Sequence, residues 1–204
     1  MEKGTMINEE GYIKFRAEWE KAPPPPAPFL EDLIAVRSEL YKRGLIGMYP
    51  DGVGYGNISK RWDAEGRFVI SGTATGGIEP LSPGHFTMVG SVDIANNQLH
   101  CAGPVMASSE SMSHAAVYRQ CPEINGVIHI HNLGLWERWL DKAPTTPASA
   151  AYGTPEMAFA IMELLAQPQN RAWKFFVMGG HHEGCIAFGS DLWEALNALD
   201  SLPE

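Results

Sequence analysis

The chain has 204 residues, of which 45% are hydrophobic and 19% charged, and it contains 21 glycines and 15 prolines. This composition is that of a globular protein rich in turns, and it excludes the disordered, collagen-like and coiled-coil classes. The 24 acidic residues outnumber the 15 lysines and arginines, giving a formal net charge of −9, which argues against nucleic acid as a partner because phosphate binding needs a basic surface.

Cysteine spacing and the apolar runs bear on where the protein works. Three widely spaced cysteines without a CxxC pair indicate neither a disulfide framework nor a zinc ribbon. The first residues lack the apolar core of a signal peptide, and no apolar run approaches the roughly 20 residues needed to span a bilayer. We therefore expect a soluble, reduced, cytoplasmic protein without a membrane partner.

The N-terminal segment, residues 1–28, differs from the rest of the chain. It ends in a proline-rich run over 21–28, and four consecutive prolines favour an extended polyproline II conformation. We predict a stiff N-terminal arm over 1–28, with a ligand for a proline-binding module as the alternative. Residues 29–204 are predicted to form one domain.

Helical and strand patterns alternate along this domain. In chain order they are a helix that starts near residue 30 and stops at Gly44, a strand over 67–71, a helix over 108–119 with a serine near its N-cap, a strand over 126–131, a helix capped by Thr154, a strand over 173–178, a strand over 185–188 and a last helix behind Asp191 and Glu194. This alternation indicates a mixed α/β layer fold.

Histidines provide the first chemical signal. Alternate side chains of a strand share a face, so His129 and His131 point the same way and are a natural pair of ligands for a divalent ion. Two hydrogen-bonded histidines in a polar cleft are the equally weighted alternative. His181 or His182, on a Gly-Gly turn after a later strand, is the candidate third ligand.

The start of the predicted helix over 108–119 provides the second signal. Glu110 shares a helix face with His114, and three histidines with a carboxylate resemble a catalytic zinc site. A solvated first-turn carboxylate is the alternative for Glu110. Ser108 and Ser109 suit an anion at a helix N-terminus, with plain N-capping as the alternative.

Two further segments carry the same pair of interpretations. Asn57 and the Thr73 to Gly77 loop each fit either anion binding or ordinary turn chemistry. None of the glycine loops fits a Walker A or dinucleotide fingerprint, and no GxSxG elbow occurs, so neither nucleotide binding nor an acyl-transfer serine is supported.

Six motifs occur in one order. They are Gly56-Asn57-Ile58-Ser59, Ile70-Ser71-Gly72-Thr73, Ser108-Ser109-Glu110 with His114, His129-Ile130-His131, Tyr152-Gly153-Thr154-Pro155 and Gly180-His181 followed by Gly184 and Gly189. With this succession the chain resembles the class II aldolase/adducin family over about residues 30–200.

The resemblance implies a fold and a set of ligands. The fold is a three-layer α/β/α arrangement with a central, mostly antiparallel sheet, commonly assembled as a homotetramer. A divalent metal would be held by His129, His131 and His181, with His182 as the second choice because this chain has an extra residue where the family has His-Gly. Zinc is the expected ion, and Mn, Co and Fe are alternatives.

The resemblance also implies roles for the polar residues. Glu110 matches the acid/base glutamate, and the substrate phosphate would be held by Asn57, Thr73, Ser108 and Ser109. The family's phosphate loop has a glycine where this chain has Ala74.

The implied activity is that of a metal-dependent aldolase-type lyase. It would catalyse reversible aldol cleavage of a ketose phosphate through a metal-stabilised enediolate, so the expected partner is a phosphorylated sugar. Two alternatives remain open. One is an epimerase, dehydratase or decarboxylase that uses the same site, and the other is a non-catalytic, adducin-like binding protein.

Overall fold

A computed structural model describes residues 13–202, and its centre is a mixed sheet with helices on both faces. The strands are β1 (Arg16–Lys21), β2 (Gly47–Met48), β3 (Gly54–Tyr55), β4 (Asn57–Arg61), β5 (Phe68–Ser71), β6 (Phe86–Asp93), β7 (Gln98–Gly103), β8 (Gly126–His131), β9 (Phe175–Val177) and β10 (Gly184–Gly189). The α-helices are α1 (Ala27–Lys42), α2 (Ser111–Gln120), α3 (Leu133–Trp139), α4 (Pro155–Ala166), α5 (Pro168–Arg171) and α6 (Leu192–Asp200).

The sheet runs in the order β1-β7-β6-β5-β4-β8-β10-β9. Every pairing is antiparallel except that of β1 with β7, which is parallel. β2 and β3 form a separate small hairpin. Among residues 13–202, no helix is both long and apolar enough to cross a bilayer.

Each face of the sheet carries its own apolar core. On one face α2 and α4 bury side chains such as Met112 and Ile161, and on the other α1 and α6 bury Leu33 and Leu196. β8 supplies both cores, because its residues alternate between the two faces. The predicted three-layer α/β/α architecture with a mostly antiparallel sheet is confirmed.

Several predicted elements coincide with the structure, and their caps explain why. β8 occupies the predicted 126–131, α4 begins behind Thr154, whose hydroxyl accepts from Met157 N, and α6 begins behind Asp191, whose carboxylate accepts from Glu194 N. These side chains satisfy helix N–H groups that have no partner in the first turn.

Other elements differ from the prediction. α2 begins at Ser111, not at 108, and its N-cap is Glu110 without a side-chain capping bond, so the predicted serine cap is wrong. The reason is a turn in which the amide and hydroxyl of Ser111 both donate to Ser108 O. The strand predicted over 173–178 shortens to β9, and no strand was predicted where β6 and β7 lie.

The N-terminal segment adds to the sheet in the part that the structure describes. β1 pairs with β7, and Phe15 is buried in the core beneath α2 and α4. The prolines that follow β1 lead without regular secondary structure into α1, which begins at Ala27. Residues 1–12 of the predicted arm lie outside the described residues, and the division of the chain at residue 28 stays a prediction.

Candidate metal centre

Three buried histidines from two parts of the sheet converge on one point. His129 and His131 project from the same face of β8, with ring centroids 4.9 Å apart. The ring of His181, from the turn between β9 and β10, lies 5.0 Å from that of His129 and 4.7 Å from that of His131. One nitrogen from each ring lies within 4.8 Å of the others. This is the arrangement of a three-histidine metal site.

Tight backbone packing brings His181 into the cluster. The turn starts with two glycines, and a Cβ on Gly180 would collide with the carbonyl oxygen of Ala150, so no larger residue fits there. The turn closes when His181 N donates to Met178 O at 3.1 Å. His182 points away, with a side chain 70% exposed and its ring beside Trp136. Of the two candidate histidines, His181 is therefore the one beside His129 and His131.

The buried environment favours neutral imidazoles. Burial holds the pKa of His129 well below its ordinary value, and the neighbouring His131 and His181 lower it further. The neutral ring is the form that binds a cation. Nε2 of His129 is buried and has no hydrogen-bond partner among the described residues, which is the expected condition of a nitrogen that a metal would occupy.

Asn57 lies against the other nitrogen of His129. Its amide Nδ2 is 3.3 Å from His129 Nδ1, while its Oδ1 is buried without a partner among residues 13–202. A metal on Nε2 would leave the ring proton on Nδ1. A rotation of the Asn57 amide by 180° then lets Oδ1 accept a hydrogen bond from His129 Nδ1–H. A cation on Nε2 is therefore compatible with a partner for both His129 Nδ1 and Asn57 Oδ1.

Glu110 lies beside the three histidines at the start of α2. It is 1% exposed, and its Oε2 accepts a 2.6 Å hydrogen bond from Ser113 Oγ. Its Oε1 lies 4.0 Å from His181 Nδ1. The carboxylate is therefore near enough to the histidines to act on a molecule bound there.

The four residues predicted to hold an anion share one small cavity of about 20 Å³. It is lined by Asn57, Thr73, Ser108 and Ser109. Four glycines also line it, namely Gly54, Gly56, Gly72 and Gly76. Its volume is close to that of one water molecule. Arg37, itself buried, holds the far end of the loop by donating to Thr75 O and Gly76 O.

Aromatic and charged neighbours that sequence reasoning did not single out complete the site. The ring of Tyr152 stacks on that of His181 at 4.5 Å, and Lys14 Nζ lies 3.9 Å above the Tyr152 ring. The hydroxyl of Tyr49 contacts both His131 and Glu183. Lys14, Tyr49 and Glu183 lie far apart in sequence, and nothing in their local patterns signals a shared site.

A second buried polar group lies on the α2 side of the sheet. His114 Nδ1 is 2.6 Å from Ser59 Oγ, which in turn lies 2.8 Å from the Tyr118 hydroxyl. Burial lowers the pKa of His114 to about 3. His114 is therefore a neutral residue of the core and not a fourth member of the cluster, consistent with its absence from the three-histidine group found among the described residues.

Comparisons with known proteins point to one family. Residues 31–135 match the model of the class II aldolase and adducin N-terminal domain. A comparison with curated proteins found no significant match.

Solved structures share the fold at low sequence identity. An L-fuculose 1-phosphate aldolase is similar with a TM-score of 0.66 and 18% identity, over 87% of this chain and 82% of its own. A sugar-phosphate aldolase from Thermotoga maritima is similar at 0.62 and 16%, over 85% and 89%. YgbL from Klebsiella pneumoniae, described as a candidate aldolase/epimerase/decarboxylase, is similar at 0.61 and 19%, over 84% and 83%.

Proposed function

The chain belongs to the class II aldolase and adducin family, and we propose that it is a metal-dependent lyase that cleaves a phosphorylated ketose in a reversible aldol reaction. The observation that carries the proposal is the buried cluster of His129, His131 and His181 with Glu110 beside it. A buried carboxylate next to three buried imidazoles, among which burial lowers the pKa of His129, suits a site that binds a cation and moves a proton.

Each group has a part in this reaction. His129, His131 and His181 would hold a divalent ion, with zinc expected and Mn, Co or Fe as alternatives. When bound, the ion would act as a Lewis acid that offsets negative charge developing on substrate oxygens. Burial keeps the pKa of His129 low, so a proton would not compete with the ion for that ring.

Glu110 is the proposed acid and base. Aldol cleavage breaks a bond between two substrate carbons. The carbon that bears a hydroxyl loses the O–H proton as it becomes the aldehyde carbonyl, and the other carbon must take up a proton. Glu110 would deliver that proton, and in the synthetic direction it would remove it. The hydrogen bond from Ser113 fixes the carboxylate, so that Oε1 remains directed towards the histidines.

The substrate phosphate would lie against Asn57, Thr73, Ser108 and Ser109. Hydroxyl and amide donors that line one cavity suit an anion. Since the cavity holds about 20 Å³, the 73–74 side of the loop would move outward to admit a phosphate, while Arg37 keeps the Thr75 and Gly76 end in place.

Retro-aldol turnover of the purified protein tests this proposal. Ketose 1-phosphates, beginning with fuculose 1-phosphate, are the substrates to offer, and two carbonyl fragments are the expected products. We expect Glu110→Gln to lower kcat by about 100-fold or more, as loss of a general acid does. The matched control is Glu163→Gln, an exposed carboxylate on α4, which should retain full activity. Full activity in Glu110→Gln would overturn the assignment.

The same product analysis separates the other activities implied by the resemblance. Release of CO2 would indicate a decarboxylase, and an inverted or dehydrated sugar would indicate an epimerase or a dehydratase. A folded protein that purifies without metal, takes up none when it is added and converts none of these substrates would favour an adducin-like binding role.

We also propose that the protein is a homo-oligomer, with a tetramer expected from the resemblance. Large apolar side chains that are exposed in the described chain support an assembly. They are Trp19, Met48, Ile78, Leu133, Phe159, Trp173 and Trp193. Size-exclusion chromatography with light scattering measures the mass of the protein in solution directly. The mass of a monomer would contradict the proposal.

A further inference from the structure

Beyond the three histidines, a tyrosine and a glutamate make a chain of hydrogen bonds that ends on His131. The hydroxyl of Tyr49 donates to Glu183 Oε2 at 2.6 Å and lies 3.0 Å from His131 Nδ1. All three side chains are largely removed from solvent, since those of His131 and Glu183 are 2% and 24% exposed and Tyr49 is half-buried.

The direction of these bonds follows from counting protons. A carboxylate oxygen only accepts, so the single hydroxyl proton of Tyr49 is committed to Glu183. The hydroxyl oxygen then offers only lone pairs to His131, and Nδ1 must donate to it. A neutral His131 with its proton on Nδ1 has an unprotonated Nε2, which is the form that binds a metal.

Backbone bonds hold the two partners where the side chains need them. Tyr49 lies in the turn of the β2–β3 hairpin, which closes through Tyr49 N to Val53 O at 2.8 Å. Leu45, two residues before that hairpin, accepts from His131 N at 3.0 Å. On the other side Asn132 N donates to Glu183 O at 3.0 Å. The end of β8 is thus hydrogen-bonded both to the segment that leads to Tyr49 and to Glu183 itself. Tyr49 and Glu183 are together called the dyad below.

Glu183 occupies a position that is costly for its backbone. Its φ is +66°, a left-handed conformation that a residue with a side chain rarely adopts. It lies between the His-His pair and Gly184. A glutamate at such a position is consistent with a function of its carboxylate, which accepts the hydrogen bond from Tyr49.

From this geometry we infer that Tyr49 and Glu183 are positioning residues that fix His131 as the Nδ1–H tautomer and hold Nε2 ready for a metal. The inference rests on the proposed metal site, which supplies the reason for the tautomer. Tyr49 acts through His131 Nδ1, and Glu183 acts through Tyr49, so neither is proposed as a metal ligand.

Two measurements on the full-length protein test the dyad. The first is the tautomer of His131 in metal-free protein, read from long-range 1H–15N correlations of the histidine rings. We expect Nδ1–H in the wild type and a mixture of tautomers in Tyr49→Phe.

The second measurement is the affinity for Zn2+, measured by competition with a chromophoric chelator. We expect Tyr49→Phe to weaken zinc binding by about 10- to 100-fold, and Glu183→Gln to weaken it less, since its amide oxygen still accepts the tyrosine proton.

Tyr55 offers a matched control. Its ring also lies beside His131, at 5.6 Å, but its hydroxyl is directed to Gly44 O at 3.3 Å. Tyr55→Phe should therefore leave both the tautomer and the zinc affinity unchanged. An Nε2–H tautomer in the wild type would overturn the inference, and so would an unchanged tautomer or zinc affinity in Tyr49→Phe. Wild-type protein that binds no zinc would instead overturn the proposed function, and the tautomer measurement would still judge the dyad.

Discussion

At the scale of single residues, one backbone turn decides which histidine joins the cluster. His181 and His182 are neighbours of the same type, yet one is buried against Tyr152 and the other is exposed beside Trp136. We predict that His181→Ala lowers zinc affinity severely, because a three-ligand site loses one ligand. His182→Ala should bind zinc like the wild type. Titration of both variants against a chelator checks this, and equal losses would contradict the placement of His181.

The 72–76 loop, which we propose to hold the substrate phosphate, contains a residue in an unfavourable conformation. Ala74 has φ +57° and is exposed, so its Cβ has a conformational cost and little packing in return. We predict that Ala74→Gly stabilises the fold by about 1 kcal/mol, measured by chemical denaturation. Ala64, exposed in a turn and not among the positive-φ residues, is the control, and Ala64→Gly should destabilise by about 0.5–1 kcal/mol. Destabilisation by Ala74→Gly would show that the loop does not need this conformation.

The buried His114 makes stability depend on pH. Burial lowers its pKa to about 3, whereas an unfolded histidine has a pKa of about 6.5. Below pH 6.5 the unfolded chain therefore takes up a proton that the native state refuses, and stability falls as the pH falls towards 3. The contribution is complete above pH 6.5 and decreases by about 1 kcal/mol per pH unit below it.

Denaturation between pH 7 and 5 checks this sign in metal-free protein. This range lies above the ordinary pKa of carboxylates, so histidines dominate the change. We expect His114→Gln to flatten the slope. An identical slope in wild type and His114→Gln would contradict the account.

At the scale of elements, β1 connects the N-terminal segment to the domain. Phe15, just before β1, is 5% exposed in the core beneath α2 and α4, while the side chain of Glu20, on β1, is 71% exposed. We predict that Phe15→Ala lowers the free energy of unfolding by about 3 kcal/mol or more, through lost burial and a cavity. Glu20→Ala should change it little. An unfolding free energy unaltered by Phe15→Ala would show that the segment does not contribute to the core.

Elements with a strong local signal were predictable from sequence. β8 has β-branched residues in alternation, and α4 has Thr154 and Pro155 at its start, so their positions follow from short-range chemistry. Alternation on β8 also correctly placed His129 and His131 on one face. β6 and β7 gave no comparable signal, because their residues mix glycine, polar and apolar side chains and acquire strand structure from their neighbours in the sheet.

Contacts between distant segments could not be predicted from the sequence. The parallel pairing of β1 with β7 joins residues more than 80 positions apart, and no local pattern encodes that register. The same holds for the contacts of Tyr49 with Glu183 and of Lys14 with Tyr152. The start of α2 was misplaced because serines at 108 and 109 suggest a cap, while the turn at Ser108 to Ser111 delays the helix.

At the scale of the whole molecule, the sheet order brings the site together. β8 lies between β4 and β10, so Asn57 at the start of β4 and His181 before β10 flank the two histidines of β8. α2 covers the same face and supplies Glu110 at its N-cap. The three-histidine cluster, the Glu110 carboxylate and the small cavity beside them thus depend on a single arrangement of layers, and the proposed chemistry depends most directly on the metal.

The most direct test is the metal content of purified protein, measured by mass spectrometry for the wild type and for His129→Ala. His129 is the choice because its Nε2 is buried without a partner among the described residues. We predict one divalent ion per chain in the wild type and its loss in His129→Ala. Wild-type protein without metal, and without uptake when zinc is added back, would contradict the proposal of a metal-dependent lyase.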